Sequence, residues 1–452
     1  MQVPGMLRFP ICLALTHFLA LGVLQSASAG SATWNLNPTS KFWNNPANWT
    51  PATVPDRATD IATFDVSNLT AITYSVSTEV GAFVFNPGAS SYTFTVPPGS
   101  TTLTVAGAGV TNNSGNPQQF VLAQGKKSNS AGVLLFEGSA TAGDATYTLN
   151  PGRFGEFAFG ALINFLDSST AGAGTFIVLG SFTEQNAILQ FFDDSDGGTA
   201  RIELVDGGRL LATSHSLATL TIGSVEGNGA FTQAPGETAI GSNNLSTTFS
   251  GVISSANGRP GPITKIGTGR MTLTGANTYT GGTNVNRGTL LVDNTSGSGT
   301  GTAEVKVNAG TLGGDGTIAG AVIVGMGVGP ASISPGAKGK NDTGLLTIQS
   351  SLTFGAQGSY QCELDSDSVT TDTLNANGVT IGRVALFHAN DLGSSALTPG
   401  TVFLVIANTS ATPISGAFSN LPDGGILNVG GNNLQASYEG GDGNDLTLTV
   451  VP

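Results

Sequence analysis

Between Gly261 and Asn294 the chain reads GPITKIGTGRMTLTGANTYTGGTNVNRGTLLVDN. Glycine returns every few residues, and each one inside a helix would cost about 1 kcal/mol relative to alanine. Between the glycines stand short runs in which apolar and polar side chains alternate, the period of a strand with one buried face. Asn286 and Gly288 follow such a run at a point where the chain must turn, and both residue types tolerate the positive φ of a tight corner. The pattern V-[ND]-x-G-x-L occurs as VDGGRL from Val205, VNRGTL from Val285 and VNAGTL from Val307, the last two 22 residues apart. A period in the twenties fits one turn of a parallel β-helix, whose coils cannot bury their apolar faces singly and so must stack.

A second family of repeats lies upstream. FEGSATAGDATYTL begins at Phe136 and FLDSSTAGAGTFIVL at Phe165, a spacing of 29, with Thr-Ala-Gly at 141–143 and 170–172. FDDSDGGTARIELV, from Phe192, reads as a shorter and looser third copy. No long stretch after residue 29 places apolar residues at i, i+3, i+4 and i+7 without interruption by glycine. The class is all-β.

From Lys265 to Leu290 the residues follow K-x-G-x-G-x-x-x-L-T-G-x-N-T-Y-T-G-G-T-x-V-x-x-G-T-L. This stretch closely resembles the autotransporter-associated β-strand repeat, also called the passenger-associated transport repeat. STTFSGVIS at 246–254 resembles its run-in; GTLGGDGTIAGAVIV at 310–324 and ISPG at 333–336 resemble its run-out. The resemblance implies a right-handed parallel β-helix outside a bacterial cell, and no catalytic residues. Autotransporters end in a membrane barrel with strands of about 9–11 alternating residues. Here the residues stop at Val450-Val451-Pro452 without such a region. The expectation is therefore a protein exported by other machinery, secreted or held at the surface, with the periplasm as the other destination.

Composition narrows the classes further. Glycine supplies 65 of 452 residues, and charged residues make up 10%, against roughly 25% in ordinary domains. Hydrophobic residues reach 39%, and runs such as TFIVL at 175–179 and VFLVI at 402–406 supply strands for a continuous core. The formal charge is −13, with no basic run longer than Lys126–Lys127. A nucleic-acid partner, which requires clustered cations against phosphate, is not expected, nor is docking on an anionic membrane.

The first residues read as an address. MQVPGMLR carries one Arg, an apolar run follows, and Ala27-Ser28-Ala29 closes it: a secretory signal peptide cleaved after Ala29. The run falls short of the ~20 residues a spanning helix needs, so no transmembrane anchor is expected in the mature chain. Cleavage removes Cys12 and leaves Cys362 without an internal disulfide partner, expected buried and inert.

Residues that could carry chemistry are few. His215 and His388 lie far apart and read as surface or half-buried side chains, with no zinc spacing around them. Asp193, Asp194 and Asp196 with Arg201 are the best candidates for a lyase-like carboxylate site; their Asp/Gly composition reads instead as a solvated turn. Asp365, Asp367 and Asp372 read the same way and do not match a calcium loop. GGDGNDLTL, from Gly440, approaches a β-roll calcium nonapeptide, but Thr447 stands where that motif needs a large apolar residue. It reads as a turn through Asp442 into a closing strand starting at Asp445.

No residue is therefore assigned a catalytic, cofactor-binding or metal-binding role, and no cofactor is expected. The expected organisation is a signal peptide at 1–29, a β cap region at 30–110, a parallel β-helix at 111–340 holding the sharp repeat at 261–294, and a β-rich C-terminal region at 341–452 that continues or caps the helix. Trp34, Trp43 and Trp49 are read as part of the N-terminal cap, with a carbohydrate-stacking platform as the rival. The functional expectation is a secreted or cell-surface, adhesin-like protein without catalytic activity, whose partners are cell-surface or matrix polysaccharides or other surface proteins. The alternative is a carbohydrate-active protein, either a polysaccharide lyase-like enzyme or a glycan-binding module.

Overall fold

Strands in this chain pair with the coil before and the coil after. Phe94, Phe120, Tyr147, Phe176 and Ile202 are successive partners in one parallel ladder. The computed structural model describes residues 30–99, 101–125, 131–152, 159–181, 185–216, 218–255, 261–336 and 342–452. The expected signal peptide and the Lys126–Lys127 pair lie outside them. The described residues build a β-solenoid of about 13 turns, and their helical element is a 3-10 turn over Pro46–Asn48.

Each coil has three walls, met in a fixed order along the chain. The first wall is built by Val133–Phe136, Leu162–Phe165, Ile188–Asp193, Arg209–His215, Ala230–Gln233 and Val252–Ser255. The third is a longer ladder, from Ala71–Thr73 through Thr146–Leu149, Arg270–Leu273 and Gly310–Gly314 to Leu386–Asp391. The second wall begins as the ladder Ile61–Phe64, Ala82–Phe85 and Gly109–Asn112 and then narrows to a single bridge per coil, Gly109 to Thr141 to Thr170 to Asp196. From Leu220–Ile222 onward it widens into three-residue strands such as Ile263–Lys265 and Val305–Val307. Thr-Ala-Gly is thus a sequence signature of that narrow corner.

Inward residues of all three walls merge in one core running from Ala32 to Val450. Stacked coils place like beside like. Phe94, Phe120, Tyr147 and Phe176 stack with centroid separations of 4.8, 5.0 and 4.8 Å, and Phe136, Phe165 and Phe191 with 4.8 and 5.0 Å. The partner of Phe165 is Phe191, so the third upstream copy is registered one residue earlier than its sequence suggests. A register shift between Gln190 and Phe192 follows, where this coil meets the next one.

The sharp repeat covers a stretch where the first wall lacks strands between Val252–Ser255 and Thr317–Ile318. Side chains take over the hydrogen bonding there. The Asn277 Oδ1 accepts from the Ile253 N–H at 2.7 Å, and its amide donates to the Gly299 carbonyl at 2.7 Å. The Asn294 Oδ1 accepts from the Thr317 N–H at 2.9 Å. The buried Tyr279 hydroxyl pairs with Thr283 Oγ1 at 2.7 Å. At the corner between second and third walls, Lys265 Nζ donates to the carbonyls of Ile266, Gly267 and Arg287 at 2.6, 3.1 and 3.2 Å. Burial pushes its pKa down to about 8.

The same corner explains the V-N-x-G-x-L signature. Gly288 and Gly310 have φ of 69° and 90°, and a Cβ on Gly310 would lie 2.4 Å from the Gly288 carbonyl oxygen. Asn308 donates to Asn286 Oδ1 at 2.9 Å, lacing the turns outside. VDGGRL serves a different corner: Val205 ends a third-wall strand and Arg209 opens a first-wall strand.

Both ends of the described stack are covered. Trp34, Trp43 and Trp49 are 1%, 0% and 2% exposed, with Trp49 edge-on to both others at 5.0 and 4.7 Å. Their indole N–H groups donate to the carbonyls of Leu69, Pro55 and Trp43. They form the N-terminal cluster and offer no exposed stacking platform. At the other end Val402–Asn408 continues the first-wall direction, and Asp445–Val451, Asn432–Gly440 and Ile426–Val429 close it as an antiparallel meander. GGDGNDLTL is the hairpin turn of that meander. Gly443 N–H donates to the Gly440 carbonyl, and the buried Asp445 accepts from Asn408 N–H at 2.8 Å.

Replacing Phe165 with Ala should destabilise the chain by about 3–5 kcal/mol, since it empties the centre of a close-packed stack; chemical denaturation of both proteins measures it. Asn277→Ala should cost about 1–3 kcal/mol for each backbone group it leaves unpaired, and hydrogen exchange should show Ile253 losing protection first.

Candidate functional site

With both ends and the interior accounted for, the outer side of the third wall holds two concave surfaces that bring polar side chains together, and another, with Asp56, Glu79 and Glu137, lies on the first wall. Register sets which ones meet. Arg201 lies beside Ser224, and Glu203 beside Glu226. Arg201 donates from Nε to Glu226 and holds its Nη2 3.8 Å from Glu203 Oε2. Ser246, Thr248 and Arg270 complete a shallow depression around the two carboxylates.

A second depression follows on the next coils. Its column of hydroxyls runs Thr289, Thr311 and Ser332 in direct register. Leu291 and Ser334 lie at its floor, and Gln361, Glu363, His388 and Asn390 rise along one side. Gln361 is the ladder partner of His388, and Glu363 of Asn390. This grouping is invisible in the sequence, because residues 289 and 390 meet only after several coils have stacked.

The aspartates that sequence reading singled out do corner work. Asp193 and Asp167 adopt φ of 48° and 54°. Asp193 Oδ2 accepts from Asp167 N–H at 3.2 Å, and Asp167 Oδ2 from Gly138 N–H at 2.9 Å, a carboxylate ladder from coil to coil. Asp194 donates its N–H to the Asp167 carbonyl. Asp196 accepts from the N–H groups of Gly198 and Thr221 at 2.6 and 3.0 Å. Arg201 is engaged with glutamates on the third wall, and no contact joins it to these aspartates.

Asp365 and Asp367 cap an exposed turn. Hydrogen bonds from the Ser368 hydroxyl to Asp365 and from the Ser395 hydroxyl to Asp367 hold both carboxyls below the usual range. Asp372 is fully buried and accepts from the N–H groups of Gly344 and Glu363 at 2.8 Å each. Burial outweighs those donors and pushes its pKa up to about 7. Among the described residues no group of three or more His, Cys, Asp or Glu side chains is placed to hold a metal ion.

His388 is exposed on the third wall. His215, expected at the surface or half-buried, is instead buried, with Nε2 2.7 Å from the Ser195 carbonyl oxygen and Nδ1 3.1 Å from that of Ser216. The register shift after Gln190 folds it under the Asp193 corner. Cys362 is buried, and burial pushes its thiol up to about 12, which removes thiolate reactivity at neutral pH.

Comparison with known proteins agrees with this scaffold. Residues 263–292 match the family described as the passenger-associated-transport-repeat. The chain is thus a β-solenoid that carries a transport-associated passenger repeat. It is also similar to the adhesin BmaC autotransporter of Brucella suis biovar 1 (strain 1330), 42% identical over 113 residues, which is 25% of this chain. The chain spans about 3% of the length of that relative.

Asp372 makes stability depend on pH in a defined direction. Its folded pKa of about 7 stands above the usual 3.8, so its contribution is fully present below about pH 4 and is lost as pH rises through 7. Thermal melts of the native chain and of Asp372→Asn should therefore shift relative to each other in favour of the variant between pH 4 and 7.

Proposed function

We propose that this chain is an adhesin-like passenger displayed outside a bacterial cell, working by contact along its walls and without turnover of a substrate. The observation that carries this reading is the passenger-associated-transport-repeat at 263–292, set within a solenoid that continues on both sides of it. The similarity to an autotransporter adhesin points the same way. The physical form suits the role. Continuous parallel ladders leave few open backbone groups for a protease, and a surface poor in charge and rich in hydroxyls is available for contact.

A second reading, a carbohydrate-active protein, is favoured by one feature: Glu203, Glu226, Arg201 and Arg270 are grouped on the outer third wall. Paired carboxylates are the groups that glycoside chemistry requires.

Immunolabelling of intact native cells, combined with fractionation, tests the main reading. Label on unpermeabilised cells or chain in the medium is the expected result. Recovery in the periplasm or cytoplasm alone, with no surface label, would overturn it.

A further inference from the structure

Leu291 is 1% exposed, yet it does not belong to the continuous core that holds its neighbours Leu290 and Val292. It faces outward beneath the second depression on the third wall, almost wholly covered by its neighbours. Its ladder partner is Gly313, where a Cβ would come within 3.1 Å of Leu291 Cδ2 and 2.2 Å of the Ser334 carbonyl oxygen. Glycine at that position keeps the floor low. The result is a cavity of about 450 Å³ whose lining mixes apolar carbon with polar groups, a row of hydroxyls on one side and Gln361, Glu363, His388 and Asn390 on the other.

We propose that this depression seats the pyranose rings of an uncharged glycan. The proposal rests on the surface-contact reading for its biological setting, and on its own geometry for its chemistry. A sugar ring has an apolar C–H face and a rim of hydroxyls. It matches a cavity whose lining is divided between apolar carbon and the hydroxyls and amides named above, the usual division of labour in small-ligand sites. A peptide adding as a strand is disfavoured, because four of the five strands that line the depression pair on both sides. The fifth, Leu386–Asp391, is met at its outer edge by Asn420, which bonds both the N–H and the carbonyl of Phe387. An acidic glycan is disfavoured as well: Glu363 lies in the depression and the chain carries a formal charge of −13. The hydroxyl column of Thr289, Thr311 and Ser332 follows the solenoid axis, so a linear chain would lie along that axis.

The test uses the full chain and a panel of uncharged gluco-, galacto-, manno- and N-acetylhexosamine oligosaccharides, with a uronate oligosaccharide beside them, measured by calorimetry. Binding of at least one uncharged oligosaccharide is expected. Gln361→Ala and Asn390→Ala should each weaken it at least tenfold while leaving the melting temperature unchanged. Binding to no uncharged member, preference for the uronate, or binding that survives both substitutions would each overturn the proposal. The surface-label experiment separates the two readings. A displayed chain that binds no uncharged glycan removes this inference alone, and a glycan-binding chain absent from the surface removes only the display reading.

Discussion

The rise between coils governs this molecule. Parallel strands stack about 4.8 Å apart, and a flat ring packs on another at nearly that distance. The centroid separations of 4.8–5.0 Å along Phe94–Phe120–Tyr147–Phe176 and Phe136–Phe165–Phe191 are therefore set by the backbone ladder. An inward side chain must suit the one above, the one below and the opposite walls together. A local excess within a wall, as where Gln190–Phe192 meets the next coil, is taken up in a register shift. The outer face carries no such restriction, which is why the depressions with grouped polar side chains lie there.

Where a wall lacks strands, its hydrogen bonds still have to be made. In the sharp repeat Asn277 and Asn294 supply side-chain amides in place of peptide groups, and Lys265 gathers three carbonyls at one corner. The fixed residues of the motif are thus structural in this chain. Lys, Asn, Tyr and Gly at those spacings solve the problem of closing coils that have two strands in place of three.

The all-β class and the coiled path were legible because alternation, corner glycines and periods in the twenties are local signals. The asparagine and lysine roles were not, since each depends on a backbone group more than twenty residues away. His215 was misread for the same reason: only the register shift brings it under the preceding coil. The tryptophans carried an ambiguity that burial removes, as all three spend their indole N–H groups internally. The stretch from Asp193 to Asp196 reads as a turn from its composition, yet Asp193 ends a strand and Asp196 forms the second-wall bridge, and their coil-to-coil bonding had no signature in the chain order. The Leu291 depression was the least legible. It is assembled from five successive coils, and its floor residue looks in sequence like any other strand leucine.

The interrupted first wall also has a mechanical meaning. At the level of the repeat the second and third walls continue as backbone ladders, whereas the first is bridged by side-chain amides and loops. Tension along the axis is then carried by two continuous seams and one stitched seam. A rod built this way is stiffer in one bending plane than in the other, and it yields toward its stitched side.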